Sequence, residues 1–140
     1  KLRNKEIKAG IFGPSPTRFG GYRPESEPET LALTELCRTA NIRQAAALHS
    51  QGEVIYWSYG NSEPPRAKKM AEIMSTSSGY ALDVPVGIAD GGGFKDWFIT
   101  EFRRPGFTIE LGTGKNPLPA ADAEKIYMRV RKMLMLFIMM

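Results

Sequence analysis

The feature that most constrains this chain is an alternation of hydrophobic periods, in which stretches with apolar residues every three or four positions are separated by short β-rich runs. Ser26 and Glu29 have capping-box spacing, Pro28 suits a first helical turn, and TLALTELCRTA continues at helical spacing, so a helix is expected from about 27 to 40. IRQAAALHS follows as a buried strand. Its small Ala side chains suit a central position packed by helices on both faces, with VIYWSY as its neighbour. RAKKMAEIMSTSS sets Met70, Ile73 and Met74 on one helical side and Lys68, Lys69 and Glu72 mainly on the other. GYALDVPVG reads as a short extended segment and ADGGG as a connection. FKDWFITEF is helical, with a core-type stripe of Phe94, Trp97, Phe98 and Phe102. RRPGFTIELGTG is a strand introduced by Pro and Gly and ended by Gly, and a last helix spans about 120 to 139 with its apolar end docked on the sheet. The pattern predicts a layered α/β domain with a mixed, mostly parallel sheet and flanking helices. Residues 10 to 25 follow neither period and are rich in Gly and Pro, so 1–25 reads as an extended lead-in and 26–140 as the α/β body.

Composition narrows the function classes. A chain of 140 residues with 42% apolar and 24% charged residues fits one domain around one core. Its single cysteine, Cys37, excludes an internal disulfide framework and a cysteine zinc cluster. The net charge of +4 is spread over scattered Lys and Arg residues, with no basic cluster interleaved with aromatics, so no nucleic-acid partner is expected. The last helix carries Glu124, Lys125, Arg129, Arg131 and Lys132, too many charges for a bilayer span, so no membrane partner is expected either. KLRNKEIKAG is basic but leads into no apolar run of the signal-peptide kind.

Ligand sites of α/β sheets gather outside the carboxyl ends of strands. His49 and Glu110 both stand at such ends, in AAALHSQGEVIYWSYG and GFTIELGTG. An imidazole there suits a metal ligand, and a carboxylate closing an apolar strand suits a general base. His49 is also the only histidine of the chain. A hydrolytic zinc site uses three protein ligands, so the sequence carries part of such an apparatus.

The phrases around these residues resemble the zinc carboxypeptidases, the carboxypeptidase A-like peptidases. In that family a histidine ligand ends a strand, and a hydrophobic strand then closes in a Tyr-Gly turn, matched here by His49 and by Tyr59 and Gly60. A Gly-Gly stretch before an Asp-Trp pair is matched by Gly92, Gly93, Asp96 and Trp97. The strand bearing the catalytic glutamate is matched by Phe107, Thr108, Ile109, Glu110 and Leu111. LHSQGEVIYW, GGFKDWFITEFRRPGFTIELGTGKNPLP and the Pro-rich SPTRFGGYRPESEPET are most similar to the bacterial γ-D-glutamyl-L-diamino acid peptidases. The family's His-x-x-Glu ligand pair and its oxyanion-stabilising arginine have no counterpart here. Ile88 stands where digestive members carry a substrate-binding tyrosine.

The resemblance implies the carboxy-terminal half of a three-layer zinc-peptidase domain, in which His49 binds zinc and Glu110 is the catalytic base. Zinc is the cofactor expected of the complete domain and is expected to bind weakly or not at all to this chain alone. The substrate would be a murein-type peptide cut at a γ-D-Glu to diaminopimelate bond, in a bacterial cytoplasm or cell envelope. Ser50, Gln51, Gly60, Asp90, Lys95 and Thr108 are the expected substrate contacts, with Lys95 meeting the distal carboxylate of diaminopimelate and Asp90 its distal ammonium. The alternative expectation is an inactive descendant that binds peptides or self-associates through an exposed sheet edge.

Overall fold

A computed structural model of the chain describes residues 2–16, 19–86 and 90–140. Ile88 lies outside them. The elements run α1 (Leu2–Lys8), α2 (Pro28–Thr39), β1 (Ala45–His49), β2 (Val54–Tyr56), α3 (Ala67–Ser78), β3 (Ala81–Asp83), α4 (Phe94–Phe102), β4 (Gly106–Glu110) and α5 (Ala123–Met139), the last preceded by a 3-10 turn at Ala120–Asp122. This is the mixed α/β architecture expected from the alternation of periods.

The sheet order is β1-β4-β2-β3. β1 pairs parallel with β4, β4 antiparallel with β2, and β2 parallel with β3. Two of the three pairings are therefore parallel. The strand expected at the centre, β1, instead lies at one edge of the described sheet, and β2 is not its neighbour because β4 lies between them. The reason is apolar content. Phe107 and Ile109 of β4 are fully buried, whereas the Ala-rich β1 removes little surface from water and is exposed at Leu48 and His49.

Successive side chains of β4 point to opposite faces, and this alternation separates core from site. Phe107 and Ile109 join Ile55, Met70, Ala71, Met74, Tyr80, Val130 and Met133 in one apolar cluster under α3 and α5. Gly106, Thr108 and Glu110 share the opposite face, over which α4 lies. A Cβ at Gly106 would come within 3.2 Å of both Ile99 Cγ1 and the Lys95 carbonyl oxygen, so the missing side chain lets α4 approach β4 closely. The result is three layers: α4, the sheet, and the α3–α5 pair.

Local sequence explains most element ends. α3 buries Ala67, Met70, Ala71, Met74 and Ser78 on one side and stops at Gly79, whose φ of +74° is the left-handed geometry of a helix C-cap. α2 begins at Pro28 as expected, but the capping box does not form. Glu27 is the N-cap without a side-chain bond to the helix, and Ser26 Oγ instead donates to Glu27 Oε1 at 2.7 Å. The 1–25 segment is not extended throughout, since α1 occupies its beginning and the Gly20 amide donates to the buried Glu6 carboxylate at 2.6 Å. α5 docks through Val130, Met133, Leu134 and Phe137, while Met135, Ile138 and Met139 remain exposed. Among the described residues, no helix is long and apolar enough to cross a membrane.

Candidate active site

His49 and Glu110 are the last residues of two adjacent parallel strands and are direct register partners. The pairing continues one step past the strands, where the Leu111 amide donates to the His49 carbonyl at 2.8 Å. Beyond it the two exits are tied together, because the Gly52 amide donates to the Gly112 carbonyl at 2.7 Å. Gly112 has a φ of +64°, which bends the chain away immediately after Glu110.

Both side chains open into a cavity of about 510 Å³. Its described walls come from four directions: β1 and β4 supply His49, Thr108 and Glu110, β2 supplies Tyr56, the start of α4 supplies Phe94, Lys95 and Asp96, and the amino-terminal segment supplies Glu6, Phe19 and Gly20. Tyr56 reaches this wall because it pairs with Thr108 on one side and with Asp83 on the other, which puts all three side chains on the face of Glu110. Burial, followed by the nearby carboxylates of Asp83 and Glu110, holds the Tyr56 phenol above the ordinary tyrosine range.

Lys95 is buried, only 3% exposed. Its ammonium donates to the Ser58 carbonyl at 2.6 Å and pairs with the equally buried Asp96. Asp96 also accepts the Gly91 amide at 2.7 Å on its other oxygen, so a charged pair pins the loop ahead of α4. An isolated ammonium at this depth would be strongly unfavourable, and these partners are what make its burial tolerable.

Of the residues expected from sequence, the cavity unites His49, Glu110, Lys95 and Thr108. Ser50, Gln51, Gly60 and Asp90 are not in its described lining. Ser50 is exposed, and its carbonyl accepts the Asn116 side-chain amide at 2.8 Å. Tyr56, Asp96 and Phe94 line the cavity and were not expected there. The register that brings Tyr56 in depends on β4 inserting next to β2, and no local pattern in VIYWSY announces that.

No group of three or more His, Cys, Asp or Glu side chains that could hold a metal occurs among the described residues. The donors present here, one imidazole beside one carboxylate, therefore do not fit a complete zinc site.

The chain belongs to the zinc carboxypeptidase family, whose sequence model matches residues 8–132. Among curated relatives it is 46% identical over 115 residues to γ-D-glutamyl-L-diamino acid endopeptidase 1 of Lysinibacillus sphaericus, a match covering 81% of this chain and 28% of that protein. It is 38% identical over 114 residues to the uncharacterized protein YqgT of Bacillus subtilis (strain 168), covering 81% of this chain and 30% of that one. The chain thus spans less than a third of the length of these relatives. Among solved structures it is similar to thrombin activatable fibrinolysis inhibitor, with a TM-score of 0.69 at 21% identity over 84% of this chain and 34% of that one. Carboxypeptidase A from Helicoverpa armigera matches with a TM-score of 0.69 at 18% identity, over 88% of this chain and 37% of its own. These two likenesses establish the fold.

Proposed function

We propose that this chain is part of a zinc metallopeptidase that hydrolyses the amide bond between γ-D-glutamate and a diamino acid such as diaminopimelate in murein-type peptides. The observation that carries this reading is the shared rung of His49 and Glu110 at the carboxyl ends of two parallel strands, both facing one cavity. Water attacking an amide carbonyl must lose a proton, and the departing amine must gain one. Glu110 is assigned both transfers. His49 is assigned as one metal donor of a set that the described residues do not complete, and the chain by itself is expected to be inactive.

Lys95 and Thr108 are assigned to the residue that follows the scissile bond, because they line the same cavity as Glu110. Substrate roles for Ser50, Gln51, Gly60 and Asp90 draw no support from that lining. The sequence relative named for γ-D-glutamyl-L-diamino acid cleavage supports the choice of peptide.

The test is zinc binding by the 140-residue chain, measured by competition with a chromophoric chelator, alongside hydrolysis of a γ-D-glutamyl-diaminopimelate amide. Weak zinc binding that disappears in His49→Ala, with no hydrolysis by the chain alone, is the expected result. Zinc binding indifferent to His49→Ala overturns the assignment.

One observation favours a second reading, a self-associating or peptide-binding module without catalysis. The outer edge of β1 has no strand partner among the described residues, and Leu48 beside it is half exposed. A concentration-dependent dimer in analytical ultracentrifugation, abolished by Ala46→Pro on that edge, would distinguish it.

A further inference from the structure

The connection from β1 to β2 runs only from Ser50 to Glu53, yet it must cross the carboxyl end of β4, because β4 lies between the two strands. It leaves β1 at His49, the register partner of Glu110, and enters β2 at Val54, the partner of Glu110 on the other side. The connection is therefore a bridge over the candidate base. A Cβ at Gly52 would lie 3.7 Å from the Glu110 Cβ, and the Gly52 amide donates to the Gly112 carbonyl. The far end of the bridge is held in an unfavourable conformation. Glu53 has a φ of +53°, a left-handed geometry that persists at a side-chain-bearing residue only when its surroundings hold it there. Its carbonyl accepts the Ala81 amide at 3.0 Å, and its carboxylate is held from α5. Arg129 Nη1 donates to Glu53 Oε1 at 2.7 Å, while its Nε donates to the Ser78 carbonyl at 3.1 Å and the guanidinium sits 5.2 Å from the Tyr80 ring centroid. Ser78 and Tyr80 orient the planar fork, so little freedom is lost when it meets Glu53.

We propose that Arg129 is a positioning residue for the candidate site: from α5, on the face of the sheet opposite the cavity, it clamps Glu53 and so holds the 50–53 bridge, and with it the exit of His49, down on the strand that carries Glu110. The proposal rests on the function given above only in taking His49 and Glu110 as the reacting pair. Arg129 is not in the described lining of the cavity, so it acts through Glu53 and not on a substrate. Its side chain is 43% exposed and that of Glu53 25%, which makes the clamp moderate in strength and sensitive to salt.

The experiment reads backbone amides of the 140-residue chain by NMR. The Gly52 and Leu111 amides close the two strand exits by donating to the Gly112 and His49 carbonyls. Glu53→Gln keeps the length of the side chain, removes its charge and leaves Arg129 on Ser78 and Tyr80. Hydrogen exchange at Gly52 should then speed up about two- to fivefold, the scale of a part-exposed ion pair, and the native-state shifts of His49 and Leu111 should move. Sodium chloride added to the wild-type chain should move the same resonances in the same direction and should not move them in Glu53→Gln. In an Arg129→Met background Glu53→Gln should have no further effect, because the pair is already broken. Should Arg129→Met fail to fold, the salt series on wild type and Glu53→Gln still decides. A Glu53→Gln chain with a lower urea midpoint but unmoved His49 and Leu111 shifts would make the pair a contributor to stability alone and overturn the proposal, as would effects that add in the double variant. These readouts need neither zinc nor hydrolysis, so the clamp and the proposed function fail separately.

Discussion

The Gly112 amide donates to the phenol oxygen of Tyr80 at 3.2 Å, a buried bond between the turn that follows Glu110 and the residue that introduces β3. Tyr80 is itself almost wholly enclosed, in the cluster with Phe107 and Ile109, and the Arg129 guanidinium of α5 sits 5.2 Å from its ring centroid. One side chain thus joins the far strand of the sheet, the last helix and the exit of the strand that carries the candidate base.

Replacing Tyr80 with Phe keeps the ring and removes the acceptor, so the Gly112 amide is left buried without a partner. A cost of about 1–3 kcal/mol is expected in urea unfolding. A midpoint indistinguishable from wild type would show that solvent takes over the bond.

Gly112→Ala should do more damage. A Cβ there would lie 2.7 Å from Ile126 Cδ1 and 2.9 Å from Leu118 Cδ1, and the backbone φ of +64° is one that side-chain-bearing residues seldom adopt. The two effects together predict a loss of roughly 2 kcal/mol or more, since left-handed strain alone contributes about 1. Because Glu110 is only two residues away, the variant's backbone amide shifts at Glu110 and His49 should move as well. Unperturbed shifts at both would mean that the turn and the candidate site are mechanically independent.

Legibility from sequence followed the strength of each local signal. α4 and α5 were readable because aromatic and aliphatic residues repeat at helical spacing, and β4 was readable because Pro105 and Gly106 open it and Gly112 closes it. His49 and Glu110 were legible as strand-end residues for the same reason. Strand order was not legible. It depends on which strand buries most apolar surface, and β4, last in the chain, displaces Ala-rich β1 from the centre through Phe107 and Ile109. The same long-range choice brings Tyr56 to the cavity, so a residue that reads locally as an ordinary strand tyrosine became visible only in the fold. Lys95 shows a related gap, for its spacing in α4 marks it as neither buried nor exposed, and only Ser58 and Asp96 explain its burial.

The Glu25–Arg38 pair beside α2 gives a pH signature. Arg38 holds Glu25 through two hydrogen bonds of 2.8 and 2.6 Å, and this guanidinium lowers the carboxyl below the usual glutamate range. A carboxyl depressed in the folded state binds its proton more weakly there than in the unfolded chain. Its stabilisation is therefore present above the ordinary glutamate range and is lost as pH falls through the folded value. The stability gap between wild type and Glu25→Gln should be small at neutral pH, narrow in added salt, and close below the carboxylate range. A gap that widened in acid would contradict the pairing.

Tyr56 titrates with the opposite sign. Burial, then Asp83 and Glu110, raise its phenol above the ordinary value near 10, so the folded state holds the proton more tightly than the unfolded chain. The associated stability is complete below the unfolded value and falls as pH rises through the folded one. NMR titration of Cζ-labelled tyrosines should place the Tyr56 resonance, identified by its absence in Tyr56→Phe, above the ordinary tyrosine range, and Glu110→Gln should shift it to lower pH. Titration of Tyr56 at the ordinary tyrosine value would refute the burial and charge argument together.

Glu110 itself is tested most sharply by the isosteric amide. Glu110→Gln preserves the shape at the rim of the cavity and the register with His49, but an amide can neither take a proton from water nor return one to an amine. In a polypeptide that contains this chain and completes the metal set, hydrolysis of the γ-D-glutamyl-diaminopimelate bond should fall about 10²–10⁴-fold, the usual scale for removal of an acid–base group. Binding of the dipeptide should persist, because Lys95 and Thr108, assigned to the residue after the scissile bond, are untouched. A fall in binding that matches the fall in rate would move Glu110 from proton transfer to substrate attachment. Retained rate would dismiss it from the chemistry and leave His49 without the neighbour that gives their shared rung a purpose.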